Sequence, residues 1–148
     1  MKAAIPARRL CVLLIGRNKV DALIAANFQD KPFDVIGWDV YDASEKLDPA
    51  PDFDVLRGIV SRAARVDAVA IGGGLAASNR EAVASLCQEL CPSAKVSLRP
   101  MEPGEREEFM EIMKRGDAAE IAAAKAAGKG PSGIIMFVNE LVESLGSA

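Results

Sequence analysis

The chain has 148 residues, of which 50% are hydrophobic and 26% charged, and its formal net charge is −3. This length and composition predict a single globular domain over residues 1–148, and the acidic balance argues against a protein that binds nucleic acid through phosphate contacts. Histidine is absent, which excludes a Ser-His-Asp triad, a Cys-His pair and an imidazole metal site.

Short apolar runs alternate with helical periodicity over about residues 8–100, a pattern typical of βαβ units in a parallel sheet. Residues 10–15 and 67–71 are apolar almost throughout, which predicts two strands covered on both faces by helices. Residues 33–40 mix polar and apolar side chains, and residues 95–99 alternate strictly, so the second and fourth strands are predicted to be less buried. The helices predicted between these strands cover residues 20–28, 53–64 and 78–90.

Capping residues predict where two of these helices begin. Asp52 or Asp54 can cap the second helix, because a carboxylate accepts hydrogen bonds from the unpaired amides of a first turn. Ser78 and Glu81 form the Ser-x-x-Glu pattern of a capping box, which predicts that the third helix starts there.

The contrast in apolar character also predicts the order of the strands. The first and third strands belong in the centre of the sheet and the others at its edges, so right-handed crossovers give the order 2-1-3-4 in a three-layer α/β sandwich. This arrangement resembles the layout of flavodoxin-like domains and of response-regulator receiver domains over residues 10–100. A receiver also carries acidic residues after its first strand and an acceptor aspartate after its third. Here Gly16 and Arg17 follow the first strand and Gly72 follows the third, so the resemblance implies the layout without the phosphorylation chemistry.

Residues 103–146 are predicted to form a helical extension. Acids in the first turn favour a helix over residues 105–114, and Asp117 begins a second, alanine-rich helix. Residues 134–138 could instead form a fifth strand, but this strand would bury the fourth, whose Lys95, Ser97 and Arg99 require solvent. We therefore prefer one helix from Ser132, as its N-cap, to Leu145.

This last helix is apolar on more than one side. One face of the sheet can bury part of that surface, and the surplus predicts a homodimer that uses Phe137, Leu141 and Leu145. Full burial within the chain's own fold is the alternative.

A ligand site is predicted where the carboxyl ends of the first and third strands meet, because open α/β sheets bind ligands where the strand order reverses. Successive glycines after the third strand expose backbone amides, and Arg17 adds positive charge, which together favour a small anion. A tight turn that merely avoids steric strain is the alternative explanation for the glycines. The predicted ligand-binding residues are Arg17, Asn18, Gly72, Gly73, Gly74 and Ser78.

Asp39 is a candidate for binding the ribose of a cofactor, because it lies near the position where dinucleotide-binding folds place an acid. The sequence lacks both the G-x-G-x-x-G fingerprint and a P-loop, so no particular cofactor is indicated. A solvated strand end is the alternative role for Asp39.

The three cysteines are too few for a disulfide framework, so we expect reduced thiols and a cytoplasmic protein. Cys87 and Cys91 are predicted to lie on a core-facing helix stripe rather than in a metal site. No stretch approaches the roughly 20 apolar residues of a membrane span.

These observations favour a binding or regulatory module without catalysis of its own, which recognises a small anionic ligand or a protein partner at the crevice. Two alternatives remain. The chain could be an enzyme, or an enzyme subunit, that binds a nucleotide cofactor there. It could also be a pure protein-interaction domain, of a pseudo-receiver kind, that works through its last helix.

The protein should not gain a phosphoryl group when it is incubated with acetyl phosphate and magnesium. Gly72 stands where a receiver carries its acceptor carboxylate, and no acidic pair follows the first strand. Intact-mass spectrometry measures this directly, and a stable gain of one phosphoryl group would contradict the prediction.

Overall fold

The computed structural model describes residues 9–17, 19–41, 51–73, 75–101, 103–129 and 131–146. Its strands are β1 (Cys11–Gly16), β2 (Asp34–Asp39), β3 (Ala68–Ile71) and β4 (Lys95–Leu98). Its helices are α1 (Val20–Asn27), α2 (Phe53–Arg62), α3 (Ala77–Leu90), α4 (Glu105–Arg115), α5 (Ala118–Ala126) and α6 (Pro131–Gly146). Among the described helices, none has the length and apolar character needed to cross a bilayer.

The four strands form one parallel sheet in the order β2-β1-β3-β4, as predicted. β1 pairs with β2 along its whole length, from Cys11 opposite Asp34 to Gly16 opposite Asp39, and with β3 on its other side. Helices follow the strands alternately, and the last three helices extend the chain beyond β4. The fold is therefore α/β with a flavodoxin-like layout.

The side chains of β1 explain why this strand is apolar at nearly every position. Leu13 and Ile15 point to one face of the sheet and pack in a cluster with α2 and α3. Val12 and Leu14 point to the other face and pack with α1 and α6. A strand covered on both faces has no position left for a solvent-facing polar residue.

Residues 134–138 lie within α6, so the preferred helix is confirmed and the fifth strand is excluded. The helix begins at Pro131, which is suited to a first helical position because the missing amide hydrogen would have no partner there. Ser132 therefore lies inside the first turn and is not the N-cap, contrary to the prediction; its side chain is outside the described residues.

The N-caps of α2 and α5 are the residues predicted from the sequence, whereas α3 does not begin where its predicted capping box would start it. The Asp52 carboxylate accepts a hydrogen bond from the Asp54 amide, and Asp117 accepts one from Glu120, both at 3.1 Å. α3 begins one residue before Ser78 and has Ala76 as its N-cap, with no side-chain cap. The capping-box prediction was wrong: the helix begins at Ala77, just after the buried Leu75, and Ser78 lies within its first turn.

The apolar surface of α6 is largely used inside the chain. Leu141 is 5% exposed in the cluster against β1 and β3, and Phe137 and Leu145 pack against the same cluster. Burial within the chain therefore accounts for Leu141, and the homodimer stays a prediction. Met136, at 58% exposed, is the most exposed large apolar residue of the described part of α6.

Two alanine substitutions on α6 test this packing. Leu141→Ala should lower the free energy of unfolding by about 2–5 kcal/mol, because it leaves a cavity in the core. Met136→Ala should lower it by less than about 0.5 kcal/mol, because its side chain lies on the surface. Urea unfolding followed by circular dichroism measures both variants, and equal losses would contradict the orientation of α6.

Candidate ligand-binding site

A cavity of about 550 Å³ lies at the carboxyl edge of the sheet, beside the ends of β1 and β3. Its floor comes from these strand ends and from α1 and α6, and one face of α4 forms its roof. Its volume falls within the range of roughly 300–1,000 Å³ that is usual for small-molecule sites. The cavity therefore has the position that the strand order predicts and a size that suits a small ligand.

The glycine turn after β3 lies on the cavity wall. Gly72 and Gly73 both line the cavity, whereas Gly74 and Asn18, which were predicted with them, are outside the described residues. The Gly72 amide donates to the Ile15 carbonyl at 2.9 Å, so it joins β3 to β1 and is not available to an anion. At Gly73 a Cβ would collide with the side chain of Met101. A larger residue at position 73 would therefore displace the end of the flexible Met101 side chain, which also lines the cavity.

Ser78 does not belong to this site. Its side chain is exposed in the first turn of α3, and it is not among the residues that line the cavity. A residue only five positions from Gly73 is thus directed away from the crevice by the turn between β3 and α3.

Arg17 lines the cavity, as predicted, and its position is fixed by the end of β2. The Tyr41 amide donates to the Arg17 carbonyl at 2.9 Å, and the Arg17 guanidinium carbon lies 4.9 Å from the centroid of the Tyr41 ring. Tyr41 is itself buried, and its hydroxyl accepts a hydrogen bond of 2.5 Å from the Asn79 side chain. A cation over a buried, anchored ring has a restricted position, which favours a defined ligand contact.

Asp39 has a structural role that the sequence did not indicate. Its carboxylate accepts hydrogen bonds from the backbone amides of Lys19, at 3.2 Å, and Val20, at 2.9 Å. It therefore caps α1 from the neighbouring strand, beside a left-handed Lys19 with φ of 57°. Asp39 is not among the cavity-lining residues, and the ribose contact stays a prediction.

Arg99 is the main site residue that the sequence reasoning missed. Its position at the end of an alternating edge strand predicted exposure, but its side chain is only 11% exposed. It donates to Glu105 at 2.9 Å and to the Gly128 carbonyl at 3.0 Å, and the Glu105 side chain is 12% exposed. The prediction of exposure was wrong because α4 returns over the carboxyl edge and supplies a carboxylate to pair with the guanidinium.

A second arginine, Arg80, stabilises the backbone at the ends of β3 and β4. Arg80 donates to the Gly72 carbonyl at 3.1 Å and to the Arg99 carbonyl, so it joins the ends of β3 and β4. Burial, and secondly the nearby Arg99 cation, lower the pKa of Arg80. The paired carbonyls show that Arg80 stabilises the backbone of the cavity wall.

The cysteines lie away from this chemistry. Burial, and secondly the nearby Cys91 thiol, raise the pKa of Cys87 to about 12, so the thiol stays protonated. All three cysteines are free, and Cys87 and Cys91 are buried. Within the described ranges, no group of His, Cys, Asp and Glu residues could hold a metal ion.

The roof helix presents a mixed face to the cavity. Phe109, Met110 and Met113 line it with apolar atoms, and Arg106 and Lys114 add positive charge. Met110 is 42% exposed and Met113 is 45% exposed, although both are apolar. Neither a hydrogen bond nor an ion pair of Lys114 is present in the part of the chain that the structure describes.

The fold and the cavity together define an α/β domain of flavodoxin-like layout with a small-molecule-sized cavity at its carboxyl edge. No protein-family model, curated protein or solved structure matches the chain. The interpretation of the site therefore depends on its geometry and chemistry.

Two carboxylates on α4 test the importance of the Arg99 pair. Glu105→Gln should lower the free energy of unfolding by about 1.5–3 kcal/mol, because it weakens a charge-assisted hydrogen bond between two largely covered side chains. Glu111→Gln should lower it by less than about 1 kcal/mol, because the contact between Glu111 and Arg115 is long, at 4.0 Å, and exposed. Urea unfolding compares the variants, and a Glu105→Gln protein as stable as the wild type would contradict this role.

Proposed function

We propose that the chain is a cytosolic binding or regulatory module that takes up a small anionic molecule in the cavity under α4. The observation that carries this proposal is the charge of the cavity lining. Arg17, Arg99, Arg106 and Lys114 line the cavity, and Glu105 is the one acidic residue among the lining residues of the described chain. Since Arg99 and Glu105 pair with each other, the remaining lining charge is positive.

This local charge is opposite to that of the whole chain, whose formal net charge is −3. The gathering of cationic side chains around one concave, mostly apolar site raises the local positive potential. Hydrogen bonds from such groups to an anion are roughly twice as strong as neutral ones. The charge of the lining thus supports an anion as the ligand.

Other features support the cytosolic setting and the binding role. The three cysteines are free, as is usual for proteins of a reducing compartment. The arginine and lysine side chains of the lining can attract and orient an anion without any group that must accept or transfer a proton. Binding by itself therefore accounts for the residues present in the cavity.

Binding measurements with anionic probes, combined with substitution of a cavity cation, test the proposal. Inorganic phosphate, AMP and octanoate serve as probes in thermal-shift assays, and the strongest binder is then measured by isothermal titration calorimetry. Arg17→Ala should weaken its binding by about 1.5–3 kcal/mol, the usual contribution of a hydrogen bond to a charged group. Arg57→Ala is the matched control, since Arg57 lies on α2 outside the cavity and pairs with the exposed Asp54.

The outcomes separate the competing functions. Selective binding of AMP would favour a nucleotide-dependent enzyme or enzyme subunit at the same cavity. If none of the three probes binds, or if Arg17→Ala and Arg57→Ala bind as the wild type does, the cavity is not an anion site.

A further inference from the structure

We infer that the ligand of this cavity is an amphipathic anion, with an apolar chain lying between α1, α6 and the methionines of α4 and a carboxylate or phosphate head held by Arg17 and Lys114. This inference rests on the proposed function and adds the chemical class of the ligand. Three features of the cavity carry it: the apolar character of its walls, the exposure of the roof methionines and the placement of its cations.

The walls of the cavity are mostly apolar. Leu14, Val20 and Ile134 belong to the buried cluster between the sheet, α1 and α6, and they extend that core into the floor of the cavity. A bare phosphate or sulfate would leave these walls in contact with water. A ligand with an apolar body covers them, and this burial contributes roughly 25 cal/mol per Å² of apolar area.

The roof provides the complementary apolar surface. Phe109, Met110 and Met113 lie on the face of α4 that lines the cavity, and both methionines are more than two-fifths exposed. Exposed apolar side chains that converge on a concave surface mark a binding site more often than a chance patch. Because methionine is unbranched and flexible, this roof can adapt to a flexible chain.

The cations are not equally available for the head group. Arg99 is committed to Glu105 and to the Gly128 carbonyl. Arg106 lies 3.7 Å from the Glu107 carboxylate. Lys114, on the roof, makes no polar contact among the described residues, and Arg17 lines the cavity at the end of β1, with its guanidinium over the Tyr41 ring. The head group is placed at these two residues because they bring positive charge to the cavity from the roof helix and from a strand end.

The test uses the wild-type chain and two series of probes, all below their micelle-forming concentrations. The first series varies the length of the alkyl chain with a constant carboxylate head group: acetate, butanoate, hexanoate, octanoate and decanoate. Decanol and decyltrimethylammonium vary the head group with a constant chain. Calorimetry should show binding that tightens by roughly fourfold per added methylene, the equivalent of about 0.8 kcal/mol. Decanoate should bind at least about tenfold more tightly than decanol, and decyltrimethylammonium should bind more weakly still.

A matched pair of variants tests whether the alkyl chain of the ligand lies under α4. Met113→Glu puts a carboxylate on the cavity face of α4 and should weaken the binding of decanoate at least about tenfold and also that of uncharged decanol, whose loss cannot come from charge repulsion. Met136→Glu makes the same change on an exposed methionine of α6 that does not line the cavity, and it should leave decanoate binding unchanged. Both positions are exposed, so both variants should fold; circular dichroism confirms this before titration.

Failure of this inference can be distinguished from failure of the proposed function. If acetate or inorganic phosphate binds as tightly as decanoate and Arg17→Ala weakens that binding, the proposed anion site stands, but the inference that the ligand carries an apolar alkyl chain is wrong. If decanol and decyltrimethylammonium bind as tightly as decanoate, the cavity binds apolar molecules without preferring an anion, and both proposals are overturned. If the Met113→Glu and Met136→Glu proteins bind decanoate equally, the alkyl chain of the ligand does not lie under α4.

Discussion

The largely covered ion pair between Arg99 and Glu105 is the interaction on which the structure at the carboxyl edge of the sheet depends. Arg99 lies at the end of the edge strand, and its guanidinium contacts both the first residue of α4 and the turn between α5 and α6. At Gly133 a Cβ would collide with this guanidinium and with the Gly128 carbonyl, so α6 must begin with a close approach. Covering two charges is unfavourable unless both are paired, and here the Arg99 side chain links the start of α4 to the turn between α5 and α6.

This arrangement leaves a cavity between α4 and the carboxyl ends of the central strands. α6 covers β1 and β3 beside α1, so the core is closed without further strands. The preceding chain, through α4, then crosses the carboxyl edge instead of continuing the alternation of strand and helix. The result is a ligand-sized space at the reversal of strand order, with an apolar floor that belongs to the core and a roof that carries methionines and cations.

The sequence predicted most of the fold because its strongest signals are local. The apolar run of β1 and the alternation of β4 reflect how many faces of each strand are buried, and the order of the strands followed from that contrast. Arg17, Gly72 and Gly73 line the cavity because they follow strands whose carboxyl ends meet at one edge of a parallel sheet, and their contact with a ligand stays a prediction. Asp52 and Asp117 cap their helices within three residues, a distance that sequence patterns describe well.

What the sequence determined by itself is the set of elements and their order, since these depend on periodicity and on the burial of short segments. Tertiary structure decided the roles of individual polar residues, because their partners come from distant parts of the chain. Asp39 caps α1 from another strand, and Arg99 becomes largely covered when α4 returns with Glu105. The cavity has the same origin, because its floor and roof are brought together only when residues far apart in sequence pack at one edge of the sheet.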